Sequence, residues 1–239
     1  MPEVNTEIPD VFILCGGKGT RFRAVREDIP KALAPINGIP FLDLLLDNLV
    51  IQGCQRIILG TGYLSEQIEF HAKKRSDAEY LISREEAPLG TGGAIRNAIP
   101  RFKSDQVLVL NGDSYIPFSV KGLVDFHKTQ QADATILLSS ATPGQDYGHV
   151  ELGEDQRIVS FQEKSENSST KLINAGVYCL NKELIKDQPD GNASLESDWF
   201  PSWTQNKKVF GMVLSRAFYD IGTPERFDFA KQIFEKKIC

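Results

Sequence analysis

VFILCGGKGTRF, at residues 11–22, begins as an apolar run and then breaks into glycines that are followed by cations. The apolar run predicts a buried strand, and the glycines predict a tight turn at its end. Backbone N–H groups in such a turn, with Lys18 and Arg21 beside them, suit an anionic ligand. The stretch therefore predicts a first strand that delivers an anion-binding loop.

The glycine turn does not match the two most familiar phosphate-binding loops. A dinucleotide fingerprint has the pattern Gly-x-Gly-x-x-Gly, but here Phe22 takes the place of the third glycine. A Walker P-loop places Gly-Lys-Ser or Gly-Lys-Thr at the start of a helix, and this stretch has no such pattern. The remaining interpretation is a loop that wraps a nucleoside triphosphate, with Arg21 and Lys31 supplying positive charge.

The composition indicates an ordinary globular protein. Of the 239 residues, 41% are hydrophobic and 25% are charged, values close to those of globular domains. The net charge of -5 argues against a protein that coats nucleic acid, so an anion site must come from a local cluster of cations. No apolar run approaches the roughly 20 residues that span a bilayer, and the polar N-terminus does not resemble a signal peptide. We therefore expect no nucleic-acid partner, no membrane association and a cytoplasmic location.

The order of the apolar runs predicts an α/β fold. Up to Ser140 the apolar runs are separated by helical patterns, which predicts a Rossmann-like, mainly parallel sheet with helices on both faces. Predicted helices lie at residues 41–52, 65–74, 91–98, 120–130 and 224–237. After Ser140 the runs are shorter and alternate, which predicts a small mixed-sheet lobe. The loops that follow strand ends in such a sheet are where ligands collect.

Motifs spread along the chain in a consistent order carry a family resemblance. They are GGKGTR at 16–21, IPKA at 29–32, PLGTGG at 88–93, LNGD at 110–113, FQEK at 161–164, NAG at 174–176 and DIGTPE at 220–225. Together they resemble the signature motifs of the sugar-1-phosphate nucleotidylyltransferases. The resemblance implies a single GT-A-like nucleotidyltransferase domain over residues 1–239. Within it, a nucleotide-binding part is expected at about 10–140 and a sugar-binding and closing part at about 141–239.

The resemblance also implies a reaction in which a sugar 1-phosphate attacks the α-phosphorus of a nucleoside triphosphate and pyrophosphate leaves. Catalysis is then mainly charge neutralisation and alignment, without a covalent nucleophile. Catalytic roles are implied for Arg21, Lys31 and Asp113, and a Mg²⁺ site is implied for Asp113 and Asp220. Nucleotide contacts are implied for Leu14, Gly16, Gly17, Gly19, Thr20, Glu85, Pro88, Gly90, Thr91 and Gly112. Sugar-phosphate contacts are implied for Tyr147, Gly148, Glu163, Lys164, Asn174 and Gly176.

Several of these residues have plainer alternatives. Lys31 could be a solvated loop lysine, Asp113 could cap a turn, and Asp220 could mark the entry to a helix. Glu163 and Lys164 could form a surface ion pair worth less than about 1 kcal/mol. The three histidines lie on predicted helical or strand segments, and we expect them to be structural or surface residues: His71, His127 and His149.

The acidic pair that precedes PLG indicates which base is bound. Guanine presents two adjacent donors, N1–H and N2–H₂, and a carboxylate is a natural bidentate acceptor for them. Glu85 or Glu86 could fill this role, or both could be solvated loop charges. We therefore expect GTP as the nucleotide substrate, with a GDP-sugar and pyrophosphate as products.

The sugar is predicted from the resemblance alone. SLE at 194–196 precedes FP at 200–201 as in a short, single-domain subgroup of the family, which favours D-glycero-α-D-manno-heptose 1-phosphate. The alternatives are mannose 1-phosphate, a thymidylyl or uridylyl homologue, and a catalytically silent subunit that only binds a nucleotide sugar. A homodimer is compatible with the sequence.

Overall fold

The computed structural model describes residues 7–17, 19, 22, 27–140, 147–162 and 172–238 of the chain. Within these ranges no helix combines the length and the apolarity that crossing a bilayer requires. The strands are β1 (Asp10–Leu14), β2 (Pro35–Ile36), β3 (Ile39–Pro40), β4 (Arg56–Thr61), β5 (Glu79–Arg84), β6 (Gln106–Asn111), β7 (Ser114–Tyr115), β8 (Ala134–Ser140), β9 (His149–Leu152), β10 (Ile158–Gln162), β11 (Leu172–Asn181), β12 (Val209–Leu214) and β13 (Tyr219–Asp220).

The helices agree with the sequence prediction to within two residues at each predicted end. They are α1 (Phe41–Ile51), α2 (Ser65–Ala72), α3 (Gly90–Asn97), α4 (Val120–Thr129), α5 (Lys182–Lys186), α6 (Phe200–Asn206) and α7 (Pro224–Ile238). Helices α5 and α6 were not predicted, because each is too short to show a helical period. A π-helical turn at Leu195–Trp199 leads directly into α6.

One half of the main sheet is parallel, in the order β5-β4-β1-β6. In the central strand β1, Ile13 lies beside Leu59 of β4 on one side and Leu110 of β6 on the other. The strand is buried on both faces, as the unbroken apolar run predicts. Because parallel strands end at the same edge of a sheet, the loops after these strands meet there.

The other half of the sheet is built around the long strand β11. It pairs antiparallel with β6, β8 and β9, while β12 adds to β8 in parallel and β10 adds to β9 antiparallel. The predicted α/β fold, a mainly parallel sheet flanked by helices, is confirmed, and the mixed strands expected after Ser140 continue that same sheet. The division into a nucleotide-binding part and a sugar-binding part stays a prediction.

Hydrophobic cores cover both faces of the sheet. Val11 and Ile13 point into a cluster that includes buried residues of α1, α4 and α7. Phe12 points the other way, into a cluster with residues of α3, α5 and α6. This alternation follows from the two-residue side-chain period of a strand. The strands of the sheet are thus packed against hydrophobic residues on both faces.

One histidine belongs to the interior of the fold. His127, on α4, is buried between the Thr135 hydroxyl, 2.8 Å from its Nδ1, and the Asn181 amide oxygen, 3.1 Å from its Nε2. Since the amide nitrogen of Asn181 donates to the Ala132 carbonyl, its oxygen is left to accept a hydrogen from Nε2. Burial lowers the pKa of His127, so the folded protein holds this ring in its neutral form.

Acidification should therefore destabilise the protein partly through His127. Below the unfolded-state pKa of about 6.5, the unfolded chain binds a proton here that the folded chain does not bind until the pH reaches the lowered folded-state pKa. The free energy of unfolding should fall between about pH 7.5 and about pH 5.5, and His127→Gln should remove part of that fall. Urea unfolding at both pH values measures the effect. An equal fall in wild type and variant would contradict the prediction.

Candidate active site

A cavity of about 490 Å³ opens at the carboxyl edge of the parallel strands. This volume lies within the range of small-molecule binding sites. The sequence-predicted residues that line it are Leu14, Gly16, Gly17, Lys31, Glu85, Pro88, Gly90, Thr91, Gly112 and Asp113. The structure thus brings together residues that lie as far apart in the sequence as β1 and the loop after β6.

Some lining residues had not been assigned to the site from the sequence. They are Cys15, Ala32, Gly62, Tyr63, Ala87 and Asn111. Two of them could have been predicted from the sequence. Gly62 and Tyr63 directly follow β4, and loops after parallel strands are where ligands bind. Cys15 is buried, and burial raises the pKa of its thiol to about 12, so it is a packed thiol at this position.

Four sequence-predicted residues lie outside the described part of the chain: Thr20, Arg21, Glu163 and Lys164. Their roles stay predictions. Gly19 is described but does not appear among the residues that line the cavity. It has a φ of +54°, and an added Cβ would lie 3.5 Å from the Lys31 Cβ, so this glycine packs against the lysine.

Glycines on one wall allow two loops to pack closely. A Cβ on Gly16 would lie 2.8 Å from the Glu85 Oε1 and 3.1 Å from the Gly62 nitrogen. A Cβ on Gly62 would lie 2.9 Å from the Gly16 carbonyl oxygen. The glycines therefore allow the Glu85 carboxylate and the loop after β4 to pack against the backbone of the turn after β1.

Both glutamates of the acidic pair line the cavity, but Glu85 is half-buried and held in this wall, whereas Glu86 is exposed. The backbone N–H of Leu89 donates to Glu85 Oε2 at 2.9 Å. Desolvation raises the pKa of Glu85, although this hydrogen bond acts in the opposite direction. Glu85 thus presents a half-buried, oriented carboxyl group to the cavity, and a ligand that donates hydrogen bonds would favour its ionised form.

The cavity floor carries an ion pair between Lys31 and Asp113. Lys31 begins a short 3₁₀ turn after Pro30, and Asp113 follows β6. Desolvation raises the pKa of Asp113, but the charge and hydrogen bond of Lys31, with the hydroxyl of Ser114, outweigh it and lower the pKa below its usual value. The Asp113 side chain is 30% exposed and that of Lys31 20%, so both remain accessible to a ligand.

Asp220, predicted as a metal ligand, is fastened by its own neighbours. The Tyr147 hydroxyl donates to its Oδ2, while Oδ1 accepts from the Gly222 N–H at 2.9 Å and faces the Arg226 guanidinium at 3.3 Å. The guanidinium carbon of Arg226 lies 4.5 Å from the centre of the Tyr147 ring. Tyr147, a predicted sugar contact, is thus hydrogen-bonded to Asp220, a predicted metal ligand. Arg226 is a cation beside Asp220 that the sequence motifs did not indicate.

A small ladder places the two predicted metal ligands at neighbouring positions. Asp220 of β13 pairs with Ser114 of β7, and the Ile221 N–H donates to the Asp113 carbonyl at 3.0 Å. Among the described residues, no group of three or more His, Cys, Asp or Glu side chains could hold a metal. A pair of carboxylates suits Mg²⁺, which usually keeps waters and binds substrate phosphates as its other ligands.

The predicted sugar contacts near β11 form a compact turn. The Gly148 carbonyl accepts from the Asn174 N–H at 2.9 Å, and the Asn174 side-chain oxygen accepts from the Gly176 N–H at 2.9 Å. Gly176 has a φ of +69°, and an added Cβ would lie 2.8 Å from the Nδ2 of Asn111. The turn therefore abuts the cavity through Asn111.

The glycines of α3 allow close packing, and one of them, Gly90, also lines the cavity. A Cβ on Gly93 would lie 2.2 Å from the Gly191 carbonyl oxygen, and one on Gly92 would lie 2.9 Å from the Trp199 ring. Gly90 has a φ of +70°, and its added Cβ would lie 2.4 Å from the Ala193 carbonyl oxygen. These glycines let the segment at 190–199 lie directly on the start of α3, which sets the position of the cavity wall.

A nucleotidyl transferase family model matches residues 10–237. The chain is 36% identical over 223 residues to a mannose-1-phosphate guanylyltransferase of Mycobacterium tuberculosis, covering 91% of this chain and 62% of that protein. It is 34% identical over 220 residues to a D-glycero-alpha-D-manno-heptose 1-phosphate guanylyltransferase of Aneurinibacillus thermoaerophilus, covering 91% of this chain and 95% of that protein. The chain therefore spans less than two thirds of the mannose protein and nearly all of the heptose protein.

Solved structures show the same fold. HddC from Yersinia pseudotuberculosis, also solved in complex with GMP-PN, superimposes with a TM-score of 0.84 at 35% identity, covering 95% of this chain and 99% of that one. A UDP-glucose pyrophosphorylase complexed with UDP-glucose has a TM-score of 0.82 at 18% identity, covering 97% and 100% of the two chains. The second likeness is one of fold alone.

Gly93→Ala should destabilise the protein, because the added methyl group would overlap the Gly191 carbonyl oxygen. Overpacking against backbone costs about 1–3 kcal/mol in the free energy of unfolding. Gly122→Ala is a matched control on α4, where the nearest atom is the side chain of the exposed Ser119 at 3.2 Å. The control should change stability by no more than about 1 kcal/mol, with a gain from helix propensity. Equal stability of the two variants in urea unfolding would refute this account.

Proposed function

Because the chain belongs to the nucleotidyl transferase family, we propose that it transfers GMP from GTP to a sugar 1-phosphate. A phosphate oxygen of the sugar 1-phosphate attacks the α-phosphorus, the bond from that phosphorus to the β-phosphate oxygen breaks, and pyrophosphate leaves. The observation that carries this proposal is one cavity lined both by a fixed carboxylate, Glu85, on the loop after β5, and by a cation, Lys31, at the start of a 3₁₀ turn. Relatives named guanylyltransferases, at 34% and 36% identity, support it.

Glu85 is the better candidate of the acidic pair for reading guanine. Its carboxylate lies in the wall beside the glycine turn and is oriented by Leu89, whereas Glu86 is exposed. An ionised carboxylate can accept hydrogen bonds on both oxygens, so the bond from Leu89 leaves acceptor positions for the guanine N1–H and N2–H₂. These donors would stabilise the charge that burial disfavours.

Lys31 is proposed as the described cation that meets the triphosphate. Two polyanions must approach each other in this reaction, so positive charge placed at the reacting phosphorus lowers the barrier. Lys31 holds its ammonium group at the cavity floor through Asp113, and the pair is accessible from the cavity. Arg21, outside the described residues, is proposed as a second cation on the basis of the motif GGKGTR.

A divalent cation is expected from the family, and we propose that it is Mg²⁺ held by Asp113 and Asp220. The proposal is supported by the β7–β13 ladder, in which the backbone of Asp220 pairs with Ser114, the residue after Asp113, and by the preference of Mg²⁺ for carboxylates with phosphates and water as its remaining ligands. When bound, the ion supplies further charge neutralisation at the phosphates. The chain's own contribution is to orient the carboxylates, which Ser114, Gly222 and Tyr147 do by hydrogen bonding.

D-glycero-α-D-manno-heptose 1-phosphate is the proposed sugar substrate. The chain covers 95% of the heptose relative from Aneurinibacillus thermoaerophilus and 99% of HddC, so similarity extends over whole chains. Mannose 1-phosphate is the second candidate, favoured by the 36% identity to the mannose relative. Tyr147, Gly148, Asn174 and Gly176 are proposed contacts of the sugar, together with Glu163 and Lys164 from outside the described residues. A cytoplasmic location, where GTP is available, belongs to the same proposal, and the homodimer stays a prediction.

The proposal predicts pyrophosphate release that depends on both substrates. GTP, UTP and dTTP are each incubated with heptose, mannose or glucose 1-phosphate, in Mg²⁺ or in excess chelator. Turnover should be greatest with GTP and the heptose phosphate, and chelation or Asp113→Asn should abolish most of it. Mannose 1-phosphate as the best acceptor would support the second candidate. No turnover in any combination would refute nucleotidyl transfer.

Glu85→Gln should shift base preference away from GTP. The amide oxygen of Gln would keep the hydrogen bond from the Leu89 N–H. The amide nitrogen, a donor, would then face the N1–H and N2–H₂ donors of guanine. Losing a charge-assisted pair of this kind lowers kcat/KM for GTP by roughly ten- to a hundredfold. The measurement is the ratio of kcat/KM for GTP and UTP, with Glu86→Gln as the matched control. A shift in the control alone would transfer the role to Glu86, and no shift in either would assign base recognition to backbone groups.

A further inference from the structure

The hydroxyl of Tyr178 lies buried at a junction between the proposed base and sugar sites. Tyr178 is on β11, has no exposed surface, and packs its ring against Phe200 with 5.3 Å between ring centres. Its surroundings are otherwise a hydrophobic core, in which a phenylalanine would fill nearly the same volume. A hydroxyl in such a place costs free energy unless it is hydrogen-bonded, so its partners show what it does.

On one side the hydroxyl holds the turn that is proposed to contact the sugar. Asn174 donates from its Nδ2 to the Tyr178 oxygen at 2.8 Å. The same side chain accepts from the Gly176 N–H through its oxygen. Asn111, which lines the cavity, also interacts with this hydroxyl. The orientation of the Asn174 amide is thus set from both of its ends.

On the other side the hydroxyl donates to a carboxylate that holds the start of α3. Tyr178 donates to Glu196 Oε1 at 3.1 Å, and Thr91 donates to Glu196 Oε2 at 2.6 Å. Thr91 in turn accepts from the Leu195 N–H at 2.8 Å. Glu196 therefore receives hydrogen bonds from the cavity-lining residue Thr91 and from the tyrosine that orients Asn174.

In all of these hydrogen bonds the donor-to-acceptor direction leads towards the carboxylate of Glu196. The donors follow in the order Gly176, Asn174 and Tyr178 from the sugar turn, and Thr91 arrives from the base side. Desolvation and the nearby Glu196 charge raise the pKa of Tyr178 well above its ordinary value, which keeps the phenol as a donor. A chain with a charged acceptor at its end is stronger and more directional than separate neutral bonds.

We propose that Tyr178 and Glu196 are positioning residues that set the distance between the proposed base-binding segment, residues 85–91, and the proposed sugar-binding turn, residues 174–176. The proposal rests on the proposed function, since in-line attack requires the sugar phosphate and the α-phosphorus to meet in one geometry. Neither residue is among the described residues that line the cavity, so each acts through Thr91 or Asn174. Small displacements of either substrate would lower the rate strongly because proximity and orientation supply much of the catalysis.

Steady-state kinetics of Tyr178→Phe, Glu196→Gln and Glu196→Ala test the proposal. Tyr178→Phe should raise KM for both substrates and lower kcat, with a fall in kcat/KM for the sugar 1-phosphate of at least about tenfold. Glu196→Ala should lower kcat/KM for the sugar 1-phosphate by a similar factor, even though Glu196 contacts the cavity lining through Thr91, which lies on the base side. Glu196→Gln, which can still accept from Tyr178, should lose less. The double variant Tyr178→Phe/Glu196→Ala should be little worse than either single one, because both break the same connection.

Tyr80→Phe is the matched control. This tyrosine also donates to a carboxylate, that of Asp77 at 2.9 Å, and it lies in a cluster with Arg75 outside the described cavity lining. It should keep wild-type kinetic constants. The variants are assayed well below their own melting temperatures, so that a change in KM reports positioning and a change in Tm reports stability.

Kinetic constants within about twofold of wild type in Tyr178→Phe and Glu196→Ala, with only Tm lowered, would overturn the proposal. If Tyr178→Phe does not fold, Glu196→Gln and Glu196→Ala are compared. A greater loss of kcat/KM in Glu196→Ala supports the proposal, and constants within about twofold of wild type in both variants overturn it. If wild type turns over no sugar 1-phosphate, the proposed function fails separately. In that case the Kd for GTP tests the junction. Glu196→Ala should raise this Kd, and an unchanged Kd would contradict the proposal.

Discussion

The parallel pairing of β1 with β4 and β6 is the constraint on which the site depends. It brings the glycine turn after β1, the Gly62 loop after β4 and Asp113 after β6 to one edge of the sheet. Because β1 is buried between two hydrophobic cores, this edge cannot shift without disrupting both. The strands that carry the cavity are therefore fixed by the packing of the fold beneath it.

Close backbone packing completes the cavity where the strands end. Gly16 and Gly62 approach each other and Glu85, while Gly90 and Gly93 admit the segment at 190–199. In each case a methyl group would meet a carbonyl oxygen, a backbone nitrogen or a carboxylate. The glycine-rich motifs of this chain consequently have a physical cause besides the predicted approach of a ligand, which is the close approach of another part of the chain.

The two aspartates of the proposed metal site share one feature. Asp113 is held by Lys31 and Ser114, and Asp220 is held by Tyr147, Gly222 and Arg226. Each carboxylate is thus oriented by groups of this chain. Glu85 differs, because its described partner is a backbone N–H and desolvation raises its pKa. This difference fits the separate roles proposed for them, with Glu85 facing neutral donors and the aspartates facing cations.

The sequence by itself determined the sheet, the main helices and most of the residues that line the cavity. Unbroken apolar runs and helical periods arise from local burial, so β1 and helices such as α1 and α4 could be predicted. Sequence motifs indicated Gly16, Lys31, Asp113 and the acidic pair Glu85 and Glu86. Only the tertiary structure separated Glu85 from Glu86, because their burial depends on how the loop packs against Gly16. It alone revealed Arg226 beside Asp220 and the junction of Tyr178 with Glu196. Those contacts join residues that are distant in sequence, and no local pattern specifies which distant donor meets a given acceptor.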